Sequence, residues 1–233
     1  MIKDELIKRS PLRVFENSIH GGLGSGNIGV LASPKGVGKT ACLVHIATDK
    51  LFQGKHVIHV SYSSRVDYII TWYEDIFKEI AKNRKLKAAV NIHDEIIKNR
   101  VIMNFKQEGS RTEQVLKSIE AMILFGKFAA DAVIVDGYNF SQSTCEDLGK
   151  FKEFAKKLNL EVWFSASLKE TGGPLYDTTG VPLIMNPLCA AIDVLITLHA
   201  QGSHVELRVV KDHEYPAAGR LPIKLDPKTL LIA

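Results

Sequence analysis

Between Asn27 and Leu51 the chain reads NIGVLASPKGVGKTACLVHIATDKL, a stretch whose residue types and spacing suit the holding of a polyphosphate. A short apolar run, Ile28 to Ala32, meets a loop rich in Gly and Pro that ends in Gly38-Lys39-Thr40. Leu43, Val44, Ile46, Ala47 and Leu51 then recur at spacings that predict one buried helix face. Strand, loop, Gly-Lys-Thr and helix form the context that a phosphate-binding P-loop requires. Gly36 and Gly38 allow positive φ and close approach of backbone N–H groups to phosphate oxygens. The helix that follows adds its unsatisfied N–H groups and the positive end of its dipole. In this pattern Lys39 reaches the β- and γ-phosphates and the Thr40 hydroxyl holds Mg²⁺. The candidate nucleotide-binding residues are Ser33, Pro34, Lys35, Gly36, Val37, Gly38, Lys39, Thr40, Ala41 and Cys42. One departure stands out: the pattern has Gly five residues before Gly38, and this chain has Ser33.

About a hundred residues downstream, Ala132-Val-Ile-Val-Asp136 is an apolar strand ending in a carboxylate. Strands of a parallel sheet gather their C-terminal ends at one edge. Asp136 is therefore expected near Thr40, holding Mg²⁺ directly or through water.

The elements that must position these residues alternate along the chain. After the P-loop helix, which a stop signal at Gly54 ends, His56 to Ser61 predicts a strand. Arg65 to Lys82 and Arg84 to Arg100 predict helices, the second with a solvated basic face. A strand at Val101 to Phe105 precedes a helix opened by a capping box of Ser110 and Glu113. Ser143 with Glu146 is a second capping box, before a helix with Leu148, Phe151, Phe154 and Leu158 on its core side. Glu161 to Ser165 is the next strand, followed by a long Gly/Pro-rich loop at 168–187. Asp193 to His199, His204 to Lys211 and Arg220 to Leu225 are expected strands, with a terminal strand after Asp226-Pro227. Residues 1–9 read as a short helix or a tail, with Ile2, Leu6 and Ile7 as its apolar grip, and Ser10 to Gly26 as loop-rich, with one domain over 10–233. The expected class is α/β: a mainly parallel central sheet flanked by helices, with antiparallel hairpins at the C-terminal end.

Composition bounds the reading. Hydrophobic residues at 45% and charged residues at 24% fit a globular chain rather than a disordered one. A net charge of +4 over 233 residues does not mark a nucleic-acid binder. Cys42, Cys145 and Cys189 lie far apart, so reduced thiols and a cytoplasmic location are expected. No apolar run reaches membrane-spanning length, and no membrane partner is expected.

These motifs resemble the RecA superfamily, and within it the KaiC- and RadA-like ATPases. HGGLGSGNIGVLAS leading into the P-loop, the strand VIHVS, AVIVD, a strand ending FSAS and the hairpin VELRVVKD carry the resemblance across most of residues 10–233. It implies a three-layer RecA-like fold, an ATP and Mg²⁺ cofactor pair, and assembly into a hexamer or filament. It also implies that Ser167, beyond the strand Glu161 to Ser165, is a polar sensor of the γ-phosphate beside the catalytic Lys39. Lys211 resembles the hairpin lysine that reaches a neighbouring subunit's nucleotide, and His213 stands where an arginine often follows. The family's general base is a Glu just after the second strand, in a pattern like VSxEES; here VSYSS puts Ser63 in its place. Serine orients water but accepts a proton poorly, so hydrolysis is expected to be slow, with Asp67 a substitute only if its loop folds back.

The expected function is that of a Mg·ATP-binding ATPase or nucleotide switch acting on an unnamed protein partner. A DNA-dependent recombinase or helicase-type motor and a non-hydrolysing scaffold are the alternatives. Nucleic acid is not favoured, because loop 168–187 pairs Glu170 and Asp177 with the single base Lys169. A small-molecule kinase would need an acceptor-site or lid signature that the sequence does not display.

Overall fold

A computed structural model of the chain describes residues 6–62, 65–86, 89–107, 111–169 and 173–233. The expected Ser63 and Ser110, and Glu170 of the long loop, lie outside the described residues. Eight strands form one sheet: β1 (Ile28–Pro34), β2 (Val57–Ser61), β3 (Arg100–Asn104), β4 (Ala132–Asp136), β5 (Glu161–Leu168), β6 (Val194–Gln201), β7 (His204–Asp212) and β8 (Gly219–Leu225). Their order is β3-β2-β4-β5-β1-β6-β7-β8. The first six named in that order run parallel; β7 and β8 close the sheet as antiparallel hairpins. The class read from the sequence, an α/β chain with a mostly parallel sheet and antiparallel C-terminal strands, is the observed one.

The helices divide between the two faces. On one lie α1 (Leu12–Ser18), α2 (Lys39–Phe52), α3 (Val66–Asn83) and α4 (Ala89–Ile97). There, Leu43, Ile46, Ile69, Tyr73 and Phe15 bury against Leu31, Ile134, Trp163 and Ile196 of the sheet. The other face is covered by α5 (Thr112–Leu124), α6 (Cys145–Leu158) and a 3₁₀ helix (Leu183–Ala191). There, Val115, Ile119, Phe151 and Met185 pack on Val30, Val60, Val133 and Phe164. Because both faces are covered, β1 and β4 read as apolar runs rather than alternating ones, and β2 is buried throughout, His59 and Ser61 included. The opposite edge strand, β8, carries Pro222 and the exposed Lys224, features that discourage another strand from pairing there.

Four local expectations are corrected. Ser10 to Gly26 is not all loop: Leu12 and Phe15, one helical turn apart, anchor α1 in the core. The cap of α6 is Thr144 with Asp147, one residue beyond Ser143 and Glu146; Thr144 Oγ1 accepts from the Asp147 N–H at 3.1 Å. Loop 168–187 is shorter than read, since β5 runs to Leu168 and the 3₁₀ helix begins at Leu183. The terminal strand shrinks to a single bridge of Ile232 with Leu225, after a turn in which Asp226 accepts from Lys228 and Thr229. Leu6, one of the apolar residues expected to hold the first segment, is buried with the first core cluster.

Candidate functional site

Consecutive elements leave β1 and β5 toward opposite faces of the sheet: α2 packs on one and the 3₁₀ helix on the other. Such a switch point opens a crevice at the carboxyl ends of the strands. The loop whose sequence reads as a P-loop lies there. Residues 35–38 turn between β1 and α2, with Gly36 at φ +86 and Gly38 at φ +113, where the N-terminus of α2 begins. Both angles belong to the region that glycine enters without a Cβ penalty. Ser33, in place of the pattern's glycine, does not have positive φ, so a side chain costs nothing there. Its hydroxyl instead donates to the Pro34 carbonyl at 3.0 Å.

Lys39 curls back over the loop. Its Nζ donates to the Ser33 carbonyl at 3.0 Å, the Ser33 hydroxyl at 3.2 Å and the Pro34 carbonyl at 2.8 Å. Burial lowers its ammonium to about 8, and the Asp136 carboxylate opposes that shift. Two carbonyls and a hydroxyl take the hydrogen bonds that phosphate oxygens could otherwise accept, and a charge disfavoured by burial gains from such a partner. Cys42, one turn on, is fully buried and its thiol is pushed up to about 12, so it packs rather than reacts.

Asp136 ends β4 and faces α2. The Thr40 hydroxyl donates to its two carboxylate oxygens at 3.0 and 3.3 Å, joining residues 96 positions apart. The Ser165 hydroxyl of β5 donates to Asp136 Oδ1 at 2.6 Å, and its oxygen accepts from the Gly137 N–H at 2.8 Å. The sequence reading missed Ser165. Its signal was present: period-2 alternation sets Ser165 and Ser167 on the face of Trp163, the face that α2 covers. Ser167 is exposed there, in register with Ser33 of β1.

One hydroxyl and one carboxylate suit Mg²⁺, which keeps several waters and takes its remaining ligands from phosphates. Among the described residues there is no cluster of three or more His, Cys, Asp or Glu placed to hold a metal. Lys39, Thr40, Ser33, Ser167 and Asp136 are thus brought to one sheet edge. Lys211 and His213 are not. Lys211 Nζ donates to the Cys189 and Ile192 carbonyls at 2.6 and 2.5 Å, closing the C-terminal end of the 3₁₀ helix. His213 lies at the opposite edge, 2.7 Å from Asp212 and 3.0 Å from the Leu23 carbonyl. Asp67, the expected substitute base, is on the surface in the first turn of α3 and is paired with Arg65.

Compared with models of known protein families and with well-characterised proteins, the chain matches none. The reading of the site therefore rests on its own residues. Among the described residues no helix is long and apolar enough to cross a membrane.

Proposed function

We propose that the chain is a RecA-like P-loop ATPase or nucleotide switch, binding Mg·ATP at the mouth of α2, hydrolysing it slowly and assembling with copies of itself. The observation that carries this reading is the Thr40–Asp136 hydrogen bond, which joins the P-loop to the acidic end of β4 at the switch point of the sheet.

The chain's own groups divide the work. Backbone N–H groups of 36–40 and the positive end of α2 receive the phosphates. Lys39 exchanges the Ser33 and Pro34 carbonyls for β- and γ-oxygens. Thr40 and Asp136 provide the protein oxygens for Mg²⁺, and Ser165 fixes the carboxylate's orientation. When bound, the metal would neutralise charge on the phosphate oxygens. In this reading Ser167, exposed and in register with Ser33, senses the γ-phosphate. Slow turnover follows from Ser63 standing where a Glu base is expected and from the engagement of Asp67 by Arg65.

Calorimetry with Mg·ATP tests the reading. Binding is expected, and Lys39→Ala should weaken it about tenfold to a hundredfold, the range of a charge-assisted hydrogen bond. No heat with the parent chain, or equal affinity in a folded Lys39→Ala variant, refutes it. Phosphate release with and without single-stranded DNA separates this reading from a motor, whose rate would rise with DNA. Light scattering with and without ATP tests assembly.

A further inference from the structure

His59 lies in the middle of β2 with no exposed surface, between Ile102 of β3 and Ile134 of β4. A buried imidazole normally has both ring nitrogens satisfied. Here Nδ1 is 3.0 Å from the Tyr73 hydroxyl of α3, whose ring lies 4.2 Å beneath the Arg100 guanidinium. Nε2 has no hydrogen-bond partner among the described residues. An unpaired buried nitrogen costs about 1–3 kcal/mol, so its retention calls for an explanation.

The sheet register supplies one. On the face that α2 covers, His59 is opposite Ile134, and the next same-face pair toward the carboxyl edge is Ser61 opposite Asp136. Arg100 is opposite Val57, one pair the other way. The imidazole thus stands between a guanidinium–phenol pair that takes its Nδ1 and the metal-site carboxylate lying toward the functional edge. His59 and Asp136 are diagonal same-face neighbours on adjacent strands, about 8 Å apart at the backbone from a strand spacing of about 4.8 Å and a same-face repeat of about 6.6 Å. One water can join a ring nitrogen to a carboxylate across the gap their side chains leave. With Nδ1 accepting from the Tyr73 hydroxyl, the ring proton sits on Nε2, where a water can accept it and in turn donate to the carboxylate.

We propose that His59 is a positioning residue for the metal site, with its Nε2–H held to Asp136 through one buried water. The chain Tyr73–His59–water–Asp136 then supports the carboxylate from below while Thr40 and Ser165 support it from the sides. This rests on the Mg·ATP reading of the site, and it gives the core histidine a function that a leucine of similar size would lack.

Two measurements test it. The first uses a fluorescent ATP analogue titrated with Mg²⁺. His59→Leu is expected to raise the half-saturating Mg²⁺ about tenfold, the size of loss seen when an outer-shell partner is removed. Analogue binding in EDTA should be unchanged, and His59→Gln, which keeps an N–H donor, should recover most of the loss. A folded His59→Leu variant within twofold of the parent overturns the proposal. The second needs no nucleotide: ¹⁵N NMR of the histidine rings should show His59 as the Nε2–H tautomer, with a shift that moves in Asp136→Asn. An Nδ1–H tautomer, or indifference to Asp136→Asn, overturns the proposal even if His59→Leu fails to fold. Absence of Mg·ATP binding by the parent would instead overturn the reading of the site, and the NMR result would still decide the role of His59.

Discussion

Two glycines of one loop should respond very differently to the same small change. A Cβ built on Gly36, at φ +86, meets nothing within 4 Å. A Cβ on Gly38, at φ +113, would sit 2.3 Å from Leu225 Cδ2. Gly36→Ala pays only for its backbone angle, about 1 kcal/mol, the low end of the cost of left-handed backbone for an L-residue. Gly38→Ala pays a similar or larger backbone cost, and the forced contact with Leu225 adds about 1–3 kcal/mol. The expected total is about 3 kcal/mol. Leu225 is buried, so Leu225→Ala alone should cost about 3 kcal/mol in lost packing. Removing Cδ2 also removes the obstacle, so the double variant should lose about 1–2 kcal/mol less than the sum of the two. Urea unfolding of the parent, both single variants and the double closes this cycle. Equal losses for Gly36→Ala and Gly38→Ala, or strict additivity of Gly38→Ala with Leu225→Ala, would refute the packing of β8 on the P-loop.

Two further outcomes follow from the site. The Lys39 ammonium titrates near 8 in the free protein because of burial, and bound phosphate would raise it. With the bound value above the free one, affinity is full below about 8, then falls up to tenfold per pH unit until the bound-state value is passed. Calorimetry at pH 8.5–9 in buffers of different ionisation enthalpy should therefore show proton uptake, and its absence would contradict the burial of Lys39. Ser165→Ala removes a donor to Asp136 and the acceptor of the Gly137 N–H. It should cost about 1–3 kcal/mol in chemical denaturation, and a loss below about 0.5 kcal/mol would show that the three groups do not act together.

The parts of this chain that were readable from sequence are those specified by close neighbours. Gly36, Gly38, Lys39 and Thr40 declare a loop by their spacing, and the unbroken apolar run before Asp136 declares a buried parallel strand. Their meeting followed from the rule that parallel strands end at one edge. What could not be read was set by distant contacts. Nothing near Lys211 announces that its ammonium closes the 3₁₀ helix, 19 and 22 positions away. Ser165 and Ser167 look equivalent in FSAS, yet only the inner one reaches Asp136. The cap of α6 slipped by one residue because Ser143 and Thr144 are both competent, and the fit of Asp147 decides between them. Terminal residues 230–233 form one bridge, Ile232 with Leu225, instead of a strand, because the turn at Asp226 returns the chain only far enough for Asp226 to meet Leu231 and Lys224 to meet Ala233.

The interposition of β5 between β1 and β4 sets a ruler across the crevice. Two strand spacings, about 9.6 Å, separate the backbone of the phosphate loop from that of the acidic strand, against about 4.8 Å had they been direct neighbours. Thr40 and Asp136 meet through side chains alone, so the two can part without breaking a single rung of the sheet. The cost is dependence on the strand in the middle: a one-residue slip of β5 would carry Ser165 to the far side and leave the acidic end held from one flank only.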